Sequence, residues 1–195
     1  MNEQVRDDWI KLAENVLDIE IQGLEEVKRN LGPDFYRAVE MIAGSDGRVV
    51  VAGIGKSGLV GRKIAATLSS TGTAAFFLHP VEGAHGDLGM IREGDVVITI
   101  SNSGETDELN AIIPTLRSLG AKIISLTSNL ESTMASLSDV IICTRVPREA
   151  CTLGLAPTSS TTATLAIGDA LAVCLIERKS FGKEDFRRYH PGGDL

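Results

Sequence analysis

The sequence predicts a single doubly wound α/β domain, a parallel sheet of about five strands flanked by helices, with an N-terminal helical extension. Short runs rich in Val and Ile recur along the chain and scarcely alternate in polarity, as strands buried on both faces do. Helical segments lie between most of these runs, which requires right-handed crossovers joining parallel strands. Glycine-rich or hydroxyl-rich turns follow several of them, where a sheet of this class carries its ligand-binding loops.

The elements follow in order. Val5, Trp9, Leu12, Val16 and Ile19 step by four and three residues, which keeps one side of a long N-terminal helix apolar. That stripe packs on its own domain or on another subunit, and the residues alone leave the choice open. Pro33 is expected to end this helix and Asp34 to cap a second one carrying Phe35, Val39 and Ile42, so that helices fill about residues 3–44. Strands are expected at Val49–Ala52, Ala75–Leu78, Val96–Ile100, Ile123–Thr127 and Val140–Thr144. Helices are expected at Leu59–Ser70, Asp107–Ser118, Ser132–Leu137 and Ser160–Arg178. The α/β core then covers about 38–181 and a C-terminal tail about 182–195, with no repeat or linker dividing the 195 residues.

Composition narrows the function. At 43% hydrophobic and 23% charged residues the chain is too apolar for disorder and long enough to bury a core. Lys and Arg number 19 against 26 Asp and Glu, a net charge of -7 without a basic run, so no nucleic-acid partner is expected. Met1–Ile10 carries Glu3, Asp7 and Asp8 where a signal peptide has a basic and then an apolar region, so none is expected. The longest apolar stretch, near Thr164–Ile176, is interrupted by Asp169 and is expected not to span a membrane. Cys143, Cys151 and Cys174 are odd in number and form no CxxC pair, which points to a reducing compartment and a cytoplasmic location.

The chemistry lies in the loops. Gly53-Ile54-Gly55-Lys56-Ser57-Gly58 follows the first strand and opens a helix, where backbone amides can meet an anion. A Walker A loop would need glycine where Val50 stands. The spacing fits the dinucleotide fingerprint, but the second strand closes on His79-Pro80 without the acidic residue that binds a ribose. A tight helix-packing turn explains the glycines and leaves Lys56 unexplained. Ser101-Asn102-Ser103-Gly104-Glu105-Thr106 follows the third strand and forms a neutral cradle for a phosphate monoester, which carries about -1.5 to -2 charges. Read as a helix cap with Ser103 at the N-cap, the same loop explains one serine. Glu108 and Glu149 are expected to face one crevice, where two carboxylates with different surroundings can divide into base and acid; singly, each also reads as a solvated surface glutamate. Pro157 is followed by five consecutive hydroxyl residues, Thr158 to Thr162, more than a helix start needs. His79 and His85, near Glu82 and Asp87, are part of a metal set without a fixed third ligand and read more simply as hydrogen-bonded loop histidines. His190, in Tyr189-His190-Pro191-Gly192-Gly193, sits either on a disordered tail or over a neighbouring active site.

Together these loops resemble a sugar isomerase (SIS) domain on a Rossmann-like frame, and more narrowly the D-arabinose 5-phosphate isomerases. The narrower likeness rests on His79-Pro80, Ala84-His85-Gly86-Asp87-Leu88-Gly89-Met90, Glu149-Ala150-Cys151, Leu153–Thr162, Gly168–Ala172 and His190-Pro191-Gly192-Gly193, and it covers the chain from about Val50 to its end. The resemblance implies reversible conversion of D-ribulose 5-phosphate to D-arabinose 5-phosphate, supplying the eight-carbon acid sugar Kdo for lipopolysaccharide or capsule. It implies Lys56, Glu108, Glu149 and His190 as catalytic groups; Ser101, Ser103 and Thr106, with Ser57 beside them, as phosphate ligands; and Gly72, Thr73, His79 and His85 as substrate contacts. It implies no required cofactor, an inhibitory divalent metal such as zinc at His79, and tetramers with sites near subunit boundaries. Such isomerases commonly continue into two CBS domains where this sequence ends, so control through CBS domains is not expected. A dinucleotide-dependent oxidoreductase, a non-catalytic sugar-phosphate sensor and an isomerase of another sugar phosphate are the competing readings.

Overall fold

The computed structural model describes residues 3–192, so Gly193 of the closing motif lies outside the described residues. Five strands, β1 (Val49–Gly53), β2 (Ala75–Leu78), β3 (Val96–Ile100), β4 (Lys122–Thr127) and β5 (Val140–Cys143), form one parallel sheet in the order β2-β1-β3-β4-β5. Each lies within a residue of its expected place. The order reverses between β1 and β3, so the loops leaving those two strands part from each other and open a crevice at the carboxyl end of the sheet.

The helices are α1 (Glu3–Arg29), α2 (Pro33–Ala43), α3 (Gly55–Ser70), α4 (Pro80–Ala84), α5 (Asp107–Ser118), α6 (Thr133–Ser136), α7 (Ser159–Arg178) and α8 (Lys183–Tyr189), with a 3-10 turn at Asp87–Met90. Alternate strand residues divide the core. Val49, Val51, Ile98, Ile124 and Ile142 pack with α2, α3 and α7, while Val50, Val97 and Ile123 pack with Leu109, Ile112, Ile113 and Leu116 of α5.

Several expectations are corrected. Pro33 opens α2 instead of ending α1, because proline lacks the N–H that a first helical position leaves unused. Asp34 does not cap that helix: Gly32 is the N-cap, and Asp34 pairs one turn on with Arg37 at 2.8 Å. α3 begins at Gly55, four residues before the expected Leu59, so the first turn of the helix lies inside the glycine-rich loop. The tail is ordered through α8, which folds back so that Phe181 stacks on Tyr189 with centroids 5.8 Å apart. α7 is long and apolar enough to cross a membrane by length and composition, so Asp169 does not disqualify it; half of it is buried, and Asp169 pairs with Lys63 of α3. The stripe on α1 is covered over only part of its length. Ile19, Gly23 and Val27 are buried against the domain, and Thr162 donates to Glu20 at 3.0 Å, whereas Val5, Trp9 and Leu12 stay exposed, Trp9 at 65%.

At the opposite end from the crevice, Asp95 is only 1% exposed and leads into β3. It accepts from the backbone N–H groups of Arg48 and Arg92 at 2.8 and 2.9 Å and from the Arg48 guanidinium at 2.8 Å. Burial opposes its charge, but the bonds from Arg48 and Arg92 prevail and hold the carboxyl below the usual aspartate range. A lowered folded pKa stabilises the fold above the unfolded value of about 3.9 and loses that effect as pH falls through the folded one. Asp95→Ala, which strands both amides and the guanidinium, is expected to cost about 3 kcal/mol by urea unfolding at pH 7, with the gap to the parent narrowing below pH about 4.

Candidate active site at the carboxyl end of the sheet

Three helix starts meet at the crevice. After β1, Ile54 turns extended and α3 begins at once, with its first-turn amides open. Gly58 packs so closely on that turn that a Cβ there would stand 2.7 Å from the Gly53 carbonyl oxygen, so close helix–strand contact requires this glycine whatever the ligand. Lys56 lies in the first helical turn with its side chain exposed.

After β3 the hydroxyl loop folds on itself. Ser101 Oγ accepts from Gly104 N–H at 3.1 Å and shares a hydrogen bond with Thr106 Oγ1 at 2.8 Å, while Ser103 Oγ accepts from Glu105 N–H at 3.2 Å. Ser103 is therefore not the N-cap of α5. Thr106 holds that position without a side-chain cap bond, leaving first-turn amides of α5 available. Glu105 turns away to accept from Thr133 N–H at 2.9 Å, and this contact, weakly opposed by burial, lowers its pKa. Glu108 is exposed on the first turn of α5.

After β5, Glu149 reaches the start of α7. Its Oε2 accepts from Thr158 N–H at 2.7 Å, Thr158 Oγ1 at 3.0 Å and Ser160 N–H at 3.3 Å. Burial works against its charge, yet the hydrogen bonds from Ser160 and Thr158 outweigh it and keep the carboxyl below the usual glutamate range. Glu149 thus caps α7 as an anion at a helix N-terminus. A cleft of about 60 Å³ joins these loops, lined by Ser57, Val60, Asn102, Pro157, Ser160, Thr161 and Thr164. Larger hollows of about 280 and 530 Å³, beside the α1–α2 connection and between α2 and α7, hold none of these catalytic candidates.

His79 follows β2 at this same end, with its Nδ1 buried and without a hydrogen-bond partner; His85 is exposed just past α4. Among the described residues no three His, Cys, Asp or Glu side chains converge on a metal position, so the set with Glu82 and Asp87 does not form. A divalent ion at His79 would find fewer than three such donors among the described residues.

Within one protomer, Gly72, Thr73 and His190 lie away from this crevice. Gly72, at φ 89°, abuts Phe181, and Thr73 Oγ1 accepts from Lys179 Nζ at 3.0 Å, an amine that burial pushes down in pKa. His190 stacks on Phe186 at 3.9 Å, and its Nδ1 lies 2.8 Å from the Phe186 carbonyl oxygen. Gly72 and Thr73 lie just past the far end of α3, a helix of 16 residues and about 24 Å with Lys56 in its first turn, and the Phe181–Tyr189 stack holds the end of α8, which His190 follows, beside Gly72. The linear motif could not report this separation. Sequence reasoning also missed Asn102, Thr161 and Thr164 as cleft residues; the surplus of hydroxyls after Pro157 was the available signal.

The sequence profile of the SIS domain matches residues 41–174. The chain belongs to the SIS domain family. This SIS domain is 54% identical over 188 residues to arabinose 5-phosphate isomerase KdsD of Salmonella typhi, a match covering 96% of this chain and 57% of that protein. It is 49% identical over 195 residues to KdsD of Pseudomonas aeruginosa, covering 100% of this chain and 60% of that one. The chain thus spans somewhat over half the length of the curated relatives it matches. The solved structure of E. coli CFT073 c3406 in complex with arabinose 5-phosphate superposes with a TM-score of 0.92 at 43% identity, covering 98% of this chain and 100% of the other.

Gly104 sits at φ 70° with its missing Cβ directed into the Ser132 side chain, which caps α6. Gly104→Ala is expected to cost about 1–3 kcal/mol, read as a fall in melting temperature of at least about 3 °C.

Proposed function

We propose that this SIS domain interconverts D-arabinose 5-phosphate and D-ribulose 5-phosphate through a cis-enediol. The observation that carries the reading is the hydroxyl and amide cradle at the β1/β3 crevice, with Lys56, Glu108 and Glu149 standing on the loops and helix starts that follow β1, β3 and β5. The names of the relatives and the arabinose 5-phosphate bound in the c3406 structure favour this substrate.

The phosphate sits against the amides opening α3 and α5 and the hydroxyls of Ser101, Ser103, Thr106 and Ser57. Those groups suit a dianion, and Glu105 is drawn away from them toward α6 by Thr133 N–H. Glu149, ionised and held in place, takes the proton from the carbon next to the carbonyl and returns it to the adjacent carbon. Lys56 stabilises negative charge on the enediolate oxygen, and Glu108 orients or protonates oxygen. His190 opens the sugar ring from a second protomer, since its own crevice is at the far end of the sheet, and Gly72 and Thr73 contact substrate from the same direction. His79 and His85 contact substrate from the β2 side, and zinc at His79 inhibits.

The exposed Val5, Trp9 and Leu12 on α1 favour assembly into a homo-oligomer, which we take to be a tetramer. Cys143, Cys151 and Cys174 are free, in keeping with the reducing cytoplasm. Such an activity would feed Kdo synthesis for lipopolysaccharide or capsule.

The test incubates the purified protein with D-arabinose 5-phosphate and follows ketose formation, with glucose 6-phosphate and sedoheptulose 7-phosphate as competitors. Selective ketose formation is expected; binding without turnover would leave a sensor. Glu149→Gln is expected to lower kcat by about 10²–10⁴-fold with KM little changed. Ser103→Ala is expected mainly to raise KM, and an unchanged KM would count against the cradle.

A further inference from the structure

Two members of the hydroxyl run opening α7 bond the Glu149 carboxylate, Ser160 and Thr158, and Thr158 alone ties it back to the loop through Ala150. Thr161 Oγ1 donates to the Thr158 carbonyl oxygen at 2.8 Å, Thr162 Oγ1 to Glu20 at 3.0 Å and Thr164 Oγ1 to the Ser160 carbonyl oxygen at 2.8 Å. Thr158 differs. Its Oγ1 donates to Glu149 Oε2 at 3.0 Å and accepts from Ala150 N–H at 2.8 Å, while its own N–H reaches the same Oε2 at 2.7 Å. Residues 149 and 158 are therefore both ends of a loop closed on one carboxylate oxygen. The leucines between them, Leu153 and Leu155, are exposed and supply no packing to hold Glu149. A glutamate side chain has three rotatable bonds, and a reacting group displaced by 1 Å loses about 10²-fold in rate. The loop's own tip cannot supply that restraint, so it falls to the polar contacts at its base.

We propose that Thr158 is a positioning residue for Glu149, its hydroxyl locking the carboxylate against Ala150 in the orientation that carries the substrate's proton. The role rests on the reading above, in which Glu149 is the proton carrier. Thr158 touches no reacting atom. Serine at this position keeps both hydrogen bonds; valine keeps the shape and loses both; cysteine keeps the size of serine with only a weak donor.

Thr158→Val, Thr158→Ser, Thr158→Cys and Glu149→Gln are compared in the full chain by steady-state kinetics with D-arabinose 5-phosphate and by thermal unfolding. Thr158→Val and Thr158→Cys are expected to lose about tenfold or more in kcat with KM within about threefold of the parent. Thr158→Ser is expected to stay within about threefold of the parent in both. If Thr158→Val does not fold, the cysteine and serine variants, matched in size, decide alone. Parental kcat in the valine or cysteine variant beside an inactive Glu149→Gln overturns the positioning role and leaves the base assignment standing, as does a serine variant as slow as cysteine. Parental turnover in Glu149→Gln overturns the base assignment itself, and the positioning role with it.

Discussion

Every strand of the sheet runs in the same direction, so each connection must travel the length of the sheet before the next strand can begin, and the helices that make those journeys cover both faces. That constraint organises the rest. It accounts for strands that read as continuous Val and Ile runs, because no face is left for polar residues. It also sends each loop that follows a strand to one end of the sheet, and the reversal of order between β1 and β3 leaves a gap there for a ligand.

The electrostatics of that gap follow from the helix starts that crowd it. Three helices begin there, and each has first-turn amides that the helix itself leaves unbonded at the positive end of its dipole. The protein's own anion, Glu149, occupies the start of α7, which leaves the starts of α3 and α5 without such a partner. Glu105 is removed from the second of these by Thr133 N–H. In a chain with a net charge of -7, drawing Glu105 aside lessens the negative charge facing the amides at the start of α5. Glu149, in contrast, is held ionised by the contacts that fix its position, so one set of hydrogen bonds caps α7 and sets both the place and the charge of the carboxylate.

The two ends of the sheet carry different work within one protomer. Lys56, Glu108, Glu149 and the hydroxyl loop share the carboxyl end; Gly72, Thr73 and His190 gather around Phe181 at the other, tied by the Phe181–Tyr189 stack and the Lys179–Thr73 bond. The apolar stripe of α1 shows a similar division, half of it closed on α7 and half still open.

Strands, crossover helices and the loops bearing Lys56 and Ser101–Thr106 were legible in the amino-acid order, since buried runs, helical spacing and loop composition are local properties. Local rules misread Pro33 as a stop, since a proline suits a helix's first turn as well as the residue beyond its end. They also missed α8, which holds its place through ring stacking with Phe181 and not through an apolar period of its own. The cap made by Glu149, the removal of Glu105 from the cradle and the distance between Lys56 and His190 depend on pairs far apart in sequence or on side-chain direction, and no spacing reports those. The sequence by itself determined the fold class and the chemical groups of the site; tertiary structure alone decided which groups share a crevice, because a sheet of parallel strands sorts loops by the end at which they emerge and not by their order along the chain.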